Sequence, residues 1–514
     1  MQDHQTEAAW AYHDATKHSY QSIRAKPHYL DWDNQPLPFK VYPKLPAIPL
    51  SQNLSSSAVP ALTAISSGAS PVTGEVRLNL QTLAEILYFS AGITRRRSYA
   101  GGEMLFRAAA CTGALYHIDL YLICGDLDGL DAGIYHFSPQ DFSLRQLRQG
   151  NYHSALVNAS GDEPTISKAS CVIVSASTFW RNAWKYQARA YRHCYWDNGT
   201  ILANLLAAAA ARNIPPKVVL GFVDATVSRL LALDPEREAP LSMVALGRSS
   251  EKKISLSAPV DTVLFETLPL SKSEIEYPEM RRMHEASSLE SGEEVAAWRR
   301  DASSKTTEVD SKREGRLFLL QSPGDEEFPK DSIEEVITRR GSTREFSRES
   351  ITFRELSSLL DRATRGITTD FLGAKETLND LYLIVHAVEG LPSGGYVFRR
   401  HERALELLKP GDFRRDAGYL GLGQEIPADC SVNIYFLADL HGILERYGNR
   451  GYRAAQLEAA IMGGRIYLSA YAQRLGASGL TFFDDDVTQF FSPNAAGKSV
   501  MFLVAVGKSA KRKS

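Results

Sequence analysis

Residues 119–123 read DLYLI, and residues 380–384 read DLYLI again, 261 positions later. Working outward, Tyr135 and Gly150 recur at that spacing as Tyr396 and Gly411, in strand-like pieces GIYHF and GGYVF that lead into SLRQL and ALELL. The pattern (Lys/Arg)-Tyr-x-x-Arg-x-Tyr-Arg stands at Lys185, Tyr186, Arg189, Tyr191 and Arg192, and again at Arg446, Tyr447, Arg450, Tyr452 and Arg453. Each copy then runs through a long apolar helix-like stretch into VALG at 244–247 or VAVG at 504–507. So many matches in one register mark an internal duplication. Each copy reads as a helix, two or three strands, a long buried helix and a closing strand, so the predicted fold class is α+β. Duplication favours two tandem domains, each a mixed sheet flanked by helices, forming an intrachain pseudo-dimer.

The expected division is an extended N-terminal arm at 1–72, a first copy at 73–255, a linker at 256–330 and a second copy at 331–514. The arm contains the Pro-rich run QPLPFKVYPKLPAIPL and shows no counterpart in the sequence. The stretch 271–330 is rich in Ser, Glu, Lys and Arg, which predicts a partly mobile connection. With 514 residues, 44% hydrophobic and 23% charged, the composition is that of a folded globular chain. A net charge of −2 provides no global field for nucleic acid or anionic membrane, so neither is an expected partner. Cys111, Cys124, Cys171, Cys194 and Cys430 are scattered and never form CxxC, which predicts neither a disulfide framework nor a metal site. The polar N-terminus makes a cytoplasmic location the default expectation.

The copies differ where chemistry is expected. The second carries Arg340, Ser342 and Arg344 at alternate positions, so an extended segment would present two guanidiniums and a hydroxyl together. Such a set suits a phosphate, helped by the N-terminus of the following helix, although spacing alone favours a solvated basic turn. The first copy has Ser67, Ala69 and Pro71 there. Its run Arg95, Arg96, Arg97, Ser98 follows the helix instead of preceding it and reads as a solvated charge run. Conversely, the first copy has the small-residue loop Ala110, Cys111, Thr112, Gly113, Ala114, Leu115, Tyr116, which lets backbone approach a flat ligand, where the second has bulkier Phe371 to Thr377. That division predicts one surviving site shared between the copies.

These residues resemble the nitroreductase family of flavoproteins, in which an R-x-S-x-R/K segment and a small-residue loop from the other subunit bind FMN. The phrase GALY and a following G-x-Y-x-F hairpin resemble the branch holding the azoline dehydrogenases of thiazole and oxazole peptide biosynthesis. The resemblance implies two nitroreductase-like domains and an FMN-dependent oxidoreductase that moves hydride through flavin N5. It implies that Arg340 and Ser342 hold the phosphate and ribityl chain, and that Arg344 lies near the pyrimidine edge. Gly113, Ala114, Leu115 and Tyr116 would approach the ring. Leu480, Thr481 and Phe482 would form the turn beside N5, and Lys508, with Lys511 and Arg512, would complete the phosphate pocket. Lys185 and Tyr186 match a catalytic Lys-Tyr pair of azoline dehydrogenases, although Arg446 and Tyr447 at the same place in the other copy favour a structural role. NAD(P)H is the implied transient electron donor. The expected substrate is a small molecule or a peptide, and the expected assembly a monomeric pseudo-dimer or a homodimer of it. The rival readings are a peptide azoline dehydrogenase in a modification complex and a non-catalytic scaffold subunit. The lone GKS at 497–499 reads as a turn, and His193 and Cys194 lack partners at ligand spacing.

Overall fold

The computed structural model describes residues 6–25, 27–66, 75–76, 78–99, 102–248, 260–304, 315–321, 324, 327, 329–373 and 376–510. Two seven-stranded sheets organise the chain, and their strand orders are the same. The first runs Ala47–Pro49, Ser143–Gln149, Gly133–Ser138, Ile118–Cys124, Cys171–Thr178, Glu238–Leu246, Lys217–Val219. The second runs Leu317–Leu319, Ala404–Pro410, Gly394–Arg399, Asn379–Val385, Val432–Ala438, Ser499–Gly507, Gly476–Gly479. The sheet that the sequence predicts as mixed has antiparallel ladders between all these neighbours. A parallel pairing occurs in the short ladder of Ile351–Thr352 with Val388–Glu389. The central strands Ile118–Cys124, Cys171–Thr178 and Val432–Ala438 are buried throughout.

The two DLYLI repeats lie in the matching strands Ile118–Cys124 and Asn379–Val385. The apolar runs that follow form the helices Ala190–Ala210 and Arg450–Ala472, buried nearly all round because they lie against each other as well as against the sheets. A Cβ on Gly199 would stand 2.4 Å from the Cβ of Ala460, and one on Gly464 would stand 2.5 Å from that of Ala203. Each contact joins a residue to its own repeat mate, which places the two helices on the pseudo-twofold axis. One hydrophobic core runs through both halves.

Symmetry also explains the arginines of the repeated motif. Arg189 Nη1 and Arg192 Nη1 donate to Asp484 of the other half, at 3.0 and 2.6 Å. Reciprocally, Arg450 Nη1 and Arg453 Nη1 donate to Asp224, at 2.7 and 2.6 Å. All six side chains are buried.

The duplication extends further than the sequence shows. The helix Glu7–Ala15 in the arm and Pro278–Ala286 in the linker occupy equivalent places. The carbonyl of His13 accepts from Arg192 Nη2 and that of His284 from Arg453 Nη2, each at 2.7 Å. Ala47–Pro49 and Leu317–Leu319 are the matching edge strands. The helices Ala61–Ser66 and Ile333–Arg339 exchange bonds across the axis: Ala61 N donates to the Asp331 carbonyl at 3.0 Å and Ile333 N to that of Val59 at 3.1 Å. The arm therefore has a counterpart, and it lies in the linker. The linker helices Pro278–Ala286 and Gly292–Ser304 bury Met280, Met283, Val295 and Trp298. Among the described residues no helix is long and apolar enough to cross a membrane.

Candidate functional site at the junction of the halves

Arg340 follows directly on the helix Ile333–Arg339, whose start is closed by a Ser332–Glu335 capping box. Its guanidinium reaches into the first half, donating through Nε to the carbonyl of Ala108 (3.0 Å) and through Nη2 to that of Arg107 (3.0 Å). Arg340 is thus a buried strut that ties the second half to the start of the small-residue loop. Ser342 lies beside Tyr467 and opposes the rise that burial imposes on its phenol. Arg344 is exposed and makes no ion pair or hydrogen bond among the described residues. The helix that follows, Phe353–Ala363, is not the anion site the sequence suggests: Thr352 and Glu355 cap it with their own side chains. Ser67, Ala69, Pro71, Lys511 and Arg512 lie outside the described residues.

The arginine run of the first half is only partly a solvated face. It forms a hairpin, Ile93–Tyr99 paired with Gly102–Arg107, on which Arg96 pairs with Glu103 at 3.2 Å. Arg95 instead sends its guanidinium toward the second half, 3.9 Å from where a Cβ on Gly341 would lie, and its charge lowers the pKa of Arg340 further below the value set by burial. Arg95 joins the cationic cluster from a direction that no local spacing reveals.

The loop of the first half is held from beneath by Asp197, on the buried helix Ala190–Ala210. Its carboxylate accepts from Thr112 N (2.9 Å), Thr112 Oγ1 (2.7 Å), Cys111 Sγ (3.1 Å) and His117 Nε2 (2.9 Å). Burial and the neighbouring Asp197 push the Cys111 thiol well up, so it stays protonated and donates. Gly113 adopts φ 63°, and a Cβ there would stand 2.8 Å from the Tyr186 hydroxyl, so the loop lies directly on Tyr186. Ala114 and Tyr116 also take positive φ, Leu115 and Tyr116 are buried, and the Tyr116 hydroxyl accepts from Arg107 N at 3.1 Å.

Lys185 and Tyr186 complete the junction. Burial, then the Arg344 charge, lowers the Lys185 ammonium below its ordinary value. Burial raises the Tyr186 phenol, with Asp197 and Cys111 adding to the rise and Arg344 opposing it. Arg344 of one half is therefore an electrostatic neighbour of both Lys185 and Tyr186 of the other. On a further side stands the turn of Leu480, Thr481 and Phe482, where Leu480 and Phe482 are buried and Thr481 Oγ1 is buried without a partner. Lys508 is placed differently, half-exposed and 3.7 Å from Glu349.

The mated position on the other side of the axis is filled by the chain itself. There Asp370 replaces Ala109, and its carboxylate accepts from Leu220 N (2.8 Å) and Gly221 N (3.0 Å), the mates of Leu480 and Thr481. Trp298, from the linker, packs its indole 3.2 Å from where a Gly221 Cβ would lie and donates to the Tyr447 carbonyl at 3.0 Å. Arg446, mate of Lys185, is tied to Glu376.

Fold and sequence together define a nitroreductase-like protein. Residues 337–508 match the sequence model of the Nitroreductase family. A crystallised nitroreductase-type protein of Anabaena variabilis is 26% identical, with a TM-score of 0.77, over 98% of this chain and 99% of its own. A nitroreductase-type protein of Methanocaldococcus jannaschii is 24% identical over 34% of this chain and 83% of its own length. The trifolitoxin-processing protein TfxB of Rhizobium leguminosarum bv. trifolii is 29% identical over 35% of this chain, which spans 49% of TfxB. The residues present fit the cofactor typical of this family, FMN. They offer an unpaired guanidinium at Arg344, a second from Arg95, a flat loop at Gly113 and an unpartnered hydroxyl at Thr481.

Proposed function

We infer that this chain is an FMN-dependent oxidoreductase with a single flavin site between its halves. The observation that carries the reading is asymmetry. At one of two mated positions small residues, Lys185, Tyr186 and free arginines converge, while at the other Asp370 and Trp298 fill the space. Ser342 with Arg340 and Arg95 would hold the phosphate end. Arg344 would stand at the pyrimidine edge, where a cation favours the charge that reduction brings. Gly113 to Tyr116 would shelter the ring, and Leu480 to Phe482 would border its reactive edge. When bound, FMN supplies hydride transfer at N5. Of this chain's residues, Lys185 and Tyr186 would stand as the proton-transfer pair beside the ring, burial lowering the ammonium and raising the phenol.

The similarity to the trifolitoxin-processing protein TfxB, together with the GALY phrase of the loop, favours a narrower reading of the same site, dehydrogenation of an azoline ring in a modified peptide. The test is an absorbance spectrum of the purified protein with added FMN, followed by anaerobic addition of NADPH. A bound yellow chromophore is expected. Arg340→Ala and Arg344→Ala should each weaken FMN binding about 10- to 100-fold, the worth of one or two charge-assisted hydrogen bonds. Arg96→Ala and Arg97→Ala should not. A protein that stays colourless refutes the reading.

A further inference from the structure

The duplication lets each buried polar group be compared with its mate. Arg450 uses every edge of its guanidinium. Nη1 donates to Asp224 Oδ2 (2.7 Å) and the Ser287 carbonyl (2.9 Å), Nε to the Leu220 carbonyl (2.8 Å), and Nη2 to the Phe222 carbonyl (3.3 Å). Its mate Arg189 keeps only the first of these faces, with Nη1 on the Thr16 carbonyl (2.6 Å) and Asp484 Oδ2 (3.0 Å). The other edge, Nε with Nη2, is buried and has no partner. The guanidinium instead stands over the rings of Trp196 and Phe482, at 5.7 and 5.3 Å.

Further unpartnered atoms lie on the same side of the axis. Asn182 Oδ1 accepts from His193 Nδ1 at 2.8 Å, which leaves Asn182 Nδ2 and His193 Nε2 buried and free. The His193 ring lies 4.8 Å from that of Trp196 and 4.5 Å from that of Tyr186. At the mated positions the second half carries Ile443 for Asn182 and Ala454 for His193. This polar lining therefore exists on one side of the axis only, the side where Tyr186 and the small-residue loop meet. The wall over it is the turn Leu480–Thr481–Phe482. Its mate is tied down by Asp370 and Arg450, whereas here Ala109 replaces the acid and the arginine edge has no partner.

The Nε and Nη2 hydrogens of one guanidinium point the same way and match the two oxygens of a carboxylate. We propose that this edge of Arg189, on the same side of the axis as the unpartnered Asn182 Nδ2, is a subsite for a carboxylate of the molecule that the enzyme oxidises or reduces. His193 Nε2 is a further unpartnered acceptor on that side. The role assigned to that molecule rests on the flavin reading, but its binding does not.

The test uses the full chain with FMN added, benzoate as probe and benzamide as its neutral counterpart, with binding followed by tryptophan fluorescence because Trp196 borders the subsite. Wild type should bind benzoate more tightly than benzamide. Arg189→Lys keeps the charge beside Asp484 but loses the paired edge, and should weaken benzoate about tenfold with a smaller effect on benzamide. Arg450→Lys, where carbonyls already fill the edge, should leave benzoate affinity unchanged. Asn182→Ile, which copies the residue of the second half, should also weaken benzoate and serves where the lysine variant does not fold. Failure of wild type to bind benzoate, or equal affinity in wild type, Arg189→Lys and Asn182→Ile, overturns the proposal. So does a structure of the FMN-loaded protein with the Leu480 and Phe482 carbonyls seated on Arg189. A colourless protein that still binds benzoate through Arg189 would end the flavin reading and keep the subsite.

Discussion

Asp484→Asn tests the symmetric frame on which the site depends. The carboxylate holds two guanidiniums at 3.0 and 2.6 Å, all three groups being at least 97% buried. Removing one partner from a buried ion pair costs about 3–5 kcal/mol, because the remaining charge is left uncompensated. The mate offers an internal control. After Asp224→Asn, Arg450 would still donate to the carbonyls of Leu220, Phe222 and Ser287, whereas after Asp484→Asn, Arg189 would keep only that of Thr16. Asp484→Asn should therefore lie toward the upper end of the range and Asp224→Asn toward the lower. Burial raises both carboxyls, but the paired arginines outweigh it and hold each well below the usual 3.8. A depressed carboxyl contributes stability that is present above its unfolded value and lost as the pH falls through its folded value. Wild type should thus lose stability below about pH 4, and each variant should show a shallower loss. Chemical denaturation followed by circular dichroism, at pH 7 and through the acid range, measures this. A cost under about 1 kcal/mol for Asp484→Asn, or a larger cost for Asp224→Asn, would refute the reasoning.

Gly113→Ala places a methyl 2.8 Å from the Tyr186 hydroxyl at a φ of 63°, and should cost about 1–3 kcal/mol and reduce FMN retention, with Tyr186→Phe restoring part of both. Full flavin content in the single variant would show that the loop does not lie on Tyr186. Glu458 is pushed up to about 7 by burial, with Arg400 opposing, so its raised value makes wild type lose stability as the pH rises from 4.5 toward 7. Glu458→Gln should remove that slope and stabilise the protein at pH 8 by up to about 3 kcal/mol, and parallel stability curves would contradict it. Trp298→Ala should cost about 3–5 kcal/mol in thermal or chemical unfolding, and wild type should hold one FMN per chain; a second equivalent of flavin in wild type would mean that the mated position is not closed.

The two-body fold was legible because the repeated strand and motif residues lie in the core, where packing keeps both identity and spacing. The arm and linker repeat was not. Their helices share little beyond His13 with His284, Ala15 with Ala286 and the hydroxyls Thr16 and Ser287, and what relates them is a common backbone carbonyl contact to an arginine. The linker helices did leave a trace, since Met280 and Met283, like Val295 and Trp298, stand three apart on one face amid polar residues. The loop at Gly113, the segment at Arg340 and the pair Lys185–Tyr186 could be read as parts of one site because small residues and alternating arginines carry chemical meaning locally. Arg95 could not, because its partner Gly341 is far away in sequence and the hairpin alone aims it. Nor could Trp298, whose meaning depends on which cavity it enters.

In a homodimer every substitution is written twice, so an acid replacing Ala109 or an indole lodged beside Gly221 would shut both openings at once. Joining the two protomers in one polypeptide removes that bond between them. One opening can be sealed and turned into ballast for the fold, while its twin is shaped alone and is free to suit a ligand without twofold symmetry.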